Sequence, residues 1–117
     1  MAAIEKENIE LTEGWPGVSY RVLVDENQGA ATTTMGELIL QPGGCLNRHY
    51  HYIEESFFVT EGTGTVSCGD ETFEAGVGSA LHAPARIVHG FENTSDAPWH
   101  VIFMYPSLQP EMIFVEE

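Results

Sequence analysis

The sequence predicts an all-β fold, an antiparallel sandwich or barrel, on three observations. Helical periodicity is weak everywhere along the chain. Eight to ten short runs rich in β-branched and aromatic residues follow one another at close, regular spacing. Twelve glycines and six prolines punctuate them, which favours short strands joined by turns over long helices.

The elements follow in order. Residues 1–14 are acidic and polar and read as an N-terminal arm with a short turn or an edge strand. Val18–Val24 is the first clear strand, with a loop at Asp25–Ala31. Thr32–Leu40 is the second, stopped by Pro42-Gly43-Gly44. Leu46–His51 and Glu55–Thr60 come next, separated by a tight connection. Thr65–Cys68 and Glu71–Phe73 form a hairpin turning at Gly69-Asp70. Gly76 and Gly78 break the chain before Ser79–Ala83, and Ile87–Asn93 follows the turn at Pro84. After the loop at residues 94–98 come the apolar run Trp99–Tyr105 and a short last strand, Met112–Val115.

A chain of 117 residues fits one domain, 1–117, large enough to bury a real core. Its net charge of -14, from 18 acidic and 4 basic residues, repels phosphate backbones and anionic headgroups. Nucleic acid and membrane partners are therefore not expected. Cys45 and Cys68 lack the number and spacing of a disulfide scaffold or a thiolate metal site, which favours a reduced, cytoplasmic setting. Residues 1–7 have neither the basic nor the apolar region of a signal peptide, and no apolar run approaches the ~20 residues that span a bilayer.

Strand alternation places candidate ligands. Side chains two apart face the same way, so His49 and His51 share a face, with Arg48, Tyr50 and Tyr52 opposed. Glu55, Phe57 and Val59 share the next, and His89, Phe91 and Asn93 a later one. A barrel that collects these three strands brings three imidazoles and a carboxylate together. That set suits one divalent transition ion, Fe, Mn, Co, Ni, Cu or Zn, with one or two positions left open. The competing reading of each histidine alone is a buried or surface imidazole with no ligand role.

The spacing resembles the two motifs of the cupin superfamily. Gly43, His49, His51, Glu55 and Gly62 match the first at every interval, and Gly78, Pro84, His89 and Asn93 fit the second. The resemblance implies a small single-domain cupin, that is, a double-stranded β-helix or jelly-roll barrel. It also implies that His49, His51, Glu55 and His89 hold one divalent metal, and that two copies of the chain pair as a homodimer.

One motif position departs: Arg86 stands where the second motif has glycine. A non-glycine residue there predicts a backbone that avoids positive φ or accepts modest strain. The Arg86 side chain either grips a substrate carboxylate near His89 or pairs with a surface glutamate. Phe57 and Phe91 form an apolar wall, as substrate contacts or as core. His100, placed inside with Ile102 and Met104, is a candidate general base or a hydrogen-bonded strand histidine. Cys45 shares the face of His49 if its strand extends that far.

The expected activity is that of a metal-dependent enzyme on a small oxygenated molecule, with a leaning towards an Fe(II)-type dioxygenase. A sugar isomerase, epimerase or lyase is the alternative within enzymes. A non-catalytic binder of a carboxylate or sugar is the alternative outside them.

Overall fold

The computed structural model describes residues 3–115. It contains eleven strands among the described residues. They are β1 (Thr12–Trp15), β2 (Val18–Val24), β3 (Thr34–Leu40), β4 (Cys45–Tyr50), β5 (Glu55–Glu61) and β6 (Gly64–Cys68). β7 (Glu71–Ala75), β8 (Ala80–Ala83), β9 (His89–Glu92), β10 (Trp99–Tyr105) and β11 (Ile113–Phe114) complete the set. A six-stranded sheet runs β1-β2-β3-β10-β5-β8 and a five-stranded sheet β11-β4-β9-β6-β7. Every pairing is antiparallel. The all-β jelly roll expected from the sequence is the fold observed.

Register stacks the interior in layers that change from apolar to polar. Val18, Leu40 and Trp99 lie side by side as the floor, each with no exposed surface. Leu38, Val101 and Val59 form the layer above, and Gly36, Phe103 and Phe57 the next. On the facing sheet Leu46 and Val66 flank Phe91, and one step further His49 pairs with His89. The apolar floor supplies the burial that stabilises the barrel, at ~25 cal/mol per Å² of apolar surface. The polar end is left for chemistry.

Two segments expected as irregular carry short 3-10 turns. Asp25 caps the turn at Glu26–Gln28, its carboxylate accepting from the Asn27 amide while Gln28 reaches back to the Asp25 amide. The N-terminal arm holds a turn at Lys6–Asn8 and continues into edge strand β1. Met1 and Ala2 of that arm, with Glu116 and Glu117, lie outside the described residues. Among those described, no helix is long and apolar enough to cross a membrane.

The arm is held by charge. Glu37, on the outward side of β3, has no exposed surface. Its carboxylate accepts from Lys6 Nζ at 2.8 Å and Arg21 Nε at 2.9 Å, while Arg21 also donates to the Lys6 and Ile9 carbonyls. Burial works to raise the Glu37 carboxyl. The hydrogen bonds from Lys6 and Arg21 and the Lys6 charge outweigh it and hold the group below the ordinary carboxylate range.

Candidate metal centre

His49, His51, Glu55 and His89 are all buried, and their ligand atoms lie within 4.8 Å of one another. His89 enters from β9 and Glu55 from the first position of β5. His51 sits one residue beyond β4. The inward aim of His49 depends on a β-bulge: Leu46 pairs with Phe91 and His49 with His89, so three steps on β4 match two on β9. The extra residue lets Leu46 and His49 both face inward despite their odd spacing. It also turns Cys45 outward, where it is exposed and takes no part in the cluster.

Backbone carbonyls fix all three imidazoles. Nδ1 of His49 lies 2.8 Å from the Asn47 carbonyl, that of His51 2.6 Å from Glu111, and that of His89 3.0 Å from Ile87. A carbonyl only accepts, so each Nδ1 carries the proton and each Nε2 presents a lone pair to the centre. Glu55 Oε1 sits 3.2 Å from His51 Nε2 and 3.5 Å from His89 Nε2. The His89 Nε2 is buried without a hydrogen-bond partner. An orphaned inward lone pair beside two others and a carboxylate fits a divalent transition ion. These four side chains would hold it.

Burial pushes the His49 imidazole down to about 4, which keeps it a neutral donor at pH 7. Burial also disfavours charge on His51, but the Glu55 carboxylate beside it and the Glu111 carbonyl prevail and raise it. Burial works to raise the Glu55 carboxyl, and the His51 and His89 imidazoles beside it outweigh that and hold it below the ordinary carboxylate range. A buried carboxylate that stays ionised among three imidazoles supplies the negative charge a divalent ion would balance.

A cavity of about 210 Å³ opens beside His49, His51 and Glu55. Its walls come from both sheets: Trp15, Tyr20, Phe57, Phe103 and Tyr105 on one side, Leu46 and Phe91 on the other. The C-terminal segment folds back across it, contributing Pro110 and Met112 and the carbonyl that orients His51. β11 then pairs with β4, setting Phe114 opposite His49. Tyr105 escaped the sequence reading. Met104 pairs with Ser56, which brings Tyr105 to the level of Glu55 at the open end. Burial, with the Glu55 charge adding to it, pushes the Tyr105 phenol up to about 12, so it stays protonated.

The sequence model for the cupin domain matches residues 36–105, more than half of the chain. The chain belongs to the cupin family. An uncharacterised protein of Methanocaldococcus jannaschii, MJ1618, is 29% identical over 70 residues, spanning 59% of this cupin and only 56% of that relative. Among solved structures, the polyketide cyclase RemF of Streptomyces resistomycificus matches all of this chain and 87% of its own, with a TM-score of 0.89 at 24% identity. The oxalate decarboxylase of Lactobacillus farciminis matches 94% of this chain but 34% of its own, with a TM-score of 0.82 at 19% identity. KdgF from Halomonas sp. matches 91% and 94%, with a TM-score of 0.78 at 15% identity. At these identities the likeness establishes the fold.

The remaining candidate residues of this cupin separate into two groups. Phe57 and Phe91 are buried, line the cavity and meet edge-on at 4.9 Å, so they serve core and cavity wall together. His100 does not reach the interior. Trp99, Val101, Phe103 and Tyr105 take the inward positions of β10, which turns His100 outward towards Glu37 at 3.5 Å and Glu61 at 3.3 Å. Its candidacy as a general base at the centre therefore falls on geometry.

Arg86 lies outside the cavity, exposed, with its guanidinium 5.0 Å from the centre of the Tyr52 ring. It is not placed to grip a substrate at the centre. Its backbone takes the strained alternative, φ 69°, and its amide donates to the His51 carbonyl at 2.7 Å. Asn93 is structural: its amide donates to the Leu40 and Ala97 carbonyls and its oxygen accepts from Ser95. His82 bonds Ser56 at 2.9 Å and approaches Glu54 at 3.3 Å on the exposed side of the sheet. Ser56 is ladder-paired on both sides, to β10 and β8, so its backbone offers no free amides for an oxyanion.

Proposed function

We propose that this cupin is a metal-dependent enzyme acting on a small oxygenated organic molecule. The observation that carries the proposal is the juxtaposition of four convergent, buried ligand side chains with a solvent-reachable cavity whose other walls are almost entirely apolar. A divalent ion held by His49, His51, Glu55 and His89 supplies Lewis-acid activation of a substrate oxygen and, as Fe(II), activation of dioxygen as well. The protein's own share is binding, orientation and water exclusion. Three carbonyl-anchored imidazoles keep the ligand geometry fixed, and the phenylalanine walls lower the local polarity, which strengthens every charge interaction inside.

Redox-neutral chemistry, such as ring closure, isomerisation or elimination, is the reading we favour. Tyr105 supports it, since a protonated hydroxyl beside the carboxylate of Glu55 can donate to an oxygen that gains charge. The full-length likeness to a polyketide cyclase points the same way. A dioxygenase is the second reading, favoured by apolar walls that suit dioxygen beside an oxygenated substrate. An oxygen electrode and product analysis under nitrogen separate the two. Turnover that continues without oxygen supports the first, and stoichiometric oxygen uptake the second. Metal-loaded protein that binds every screened compound and converts none would leave a binding module.

A further inference from the structure

The cavity's walls say which oxygenated molecules fit, an argument that rests on the metal-centre reading above. Every basic side chain of the chain is placed elsewhere. Lys6 and Arg21 hold Glu37, Arg48 donates to the Gly69 carbonyl, and Arg86 covers Tyr52. No lysine or arginine lines the cavity, and the chain carries a net charge of -14. A phosphorylated or polycarboxylate substrate would meet no countercharge beyond the ion. A sugar fares no better, because its hydroxyls need several buried partners and the walls beyond the ligands offer chiefly the Tyr20 and Tyr105 hydroxyls.

The walls are flat instead. The Phe103 and Tyr105 rings stack within 13° at 5.7 Å, and Tyr105 continues onto His51 at 29° and 6.5 Å. Gly36 makes this possible: a Cβ there would run into the Phe103 ring, so only glycine lets that ring lie against β3. Trp15, also in the lining, is held by an edge-on contact at 6.1 Å with Phe114 of the facing sheet. A cavity of about 210 Å³ compares with ~150 Å³ for one that holds benzene. It admits one ring with substituents or two fused rings.

We propose that the substrate is a neutral, planar, one- or two-ring phenol or enol with two adjacent oxygens. The oxygens face His49, His51 and Glu55, the ring lies along Phe103 and Tyr105, and the Tyr105 hydroxyl donates a hydrogen bond to a substrate oxygen. No protein partner takes that hydroxyl among the described residues, so it is available to a ligand.

The test uses the full chain loaded with Co(II), its metal content measured first. Binding of 2,3-dihydroxynaphthalene, oxalate and D-fructose is followed by calorimetry and by the cobalt absorption spectrum. The diol is expected to bind at least about tenfold more tightly than the other two, consistent with aromatic contacts. Trp15→Ala and the near-isosteric Tyr105→Phe should each weaken the diol by roughly three- to tenfold while leaving oxalate unchanged. Tighter binding of oxalate or fructose overturns the proposal, as does diol affinity indifferent to both variants. Failure of the metal reading has a separate signature, no cobalt uptake at all. The proposal falls with it, since the oxygens then have nothing to chelate.

Discussion

Three backbone carbonyls, of Asn47, Ile87 and Glu111, decide what the histidines can do. Each takes the Nδ1 proton and leaves Nε2 for the centre, so the ring flips that would spoil the site are disfavoured. His89→Ala removes the orphaned donor and is expected to lower metal affinity by more than about 100-fold, as read by competition with a chromogenic chelator. Retention of wild-type affinity would contradict its place as a ligand. His49, His51, Glu55 and His89 were legible in the sequence because strand alternation and motif spacing agree. Tyr105 and His100 were not. β10 is apolar on both faces, with Trp99, Val101 and Phe103 inward and Ile102 and Met104 outward, so its periodicity does not say which side faces in.

Strand limits were readable at the element scale because glycine and proline mark them; Val18–Val24 and Trp99–Tyr105 are observed with the expected limits. Bulges were hidden. The additional residue on β4 reverses the alternation between Cys45 and His49, and nothing in the residue types announces it. The turn after β8 shows a sequence departure borne as strain. Gly62, at its own motif position, has φ 78° and its Cα hydrogen faces the Pro98 carbonyl, while Arg86 holds φ 69° with a side chain attached. A left-handed residue of this kind costs about 1–2 kcal/mol. The contact with Tyr52 and the loss of a flexible unfolded glycine offset part of that. Arg86→Gly is therefore expected to raise unfolding free energy by up to about 1 kcal/mol in urea titration, with metal binding unchanged. A loss of stability would mean that the guanidinium–Tyr52 contact outweighs the backbone strain.

Across the whole molecule, the acidic chain commits two of its four basic residues to a single carboxylate, which fastens the N-terminal arm across the outer face of the six-stranded sheet. This long-range closure was not legible in the sequence, since Lys6 and Glu37 are 31 residues apart and follow no local pattern. Glu37 has its folded pKa below the ordinary 4.5, so its contribution is complete above that value and is lost as pH falls through the folded pKa. Glu37→Gln is expected to cost about 2–3 kcal/mol at pH 7. That is less than a fully buried pair, because Lys6 remains 39% exposed. It should also flatten the fall in melting temperature below pH 4.5, and an unchanged acid limb would contradict the role of Glu37. The pairing of two copies implied by the family resemblance predicts sedimentation near twice 12.9 kDa, and a single-chain mass would overturn it.

The most direct measurement is X-ray absorption at the metal edge of purified protein, with metal content determined on the same sample. About one divalent ion per chain is expected, with three imidazole nitrogens and one carboxylate oxygen at ~2.0–2.2 Å and loss of that signal in the His49→Ala, His51→Ala double variant. A protein that takes up no ion from excess metal, or a double variant that keeps full occupancy, would contradict it.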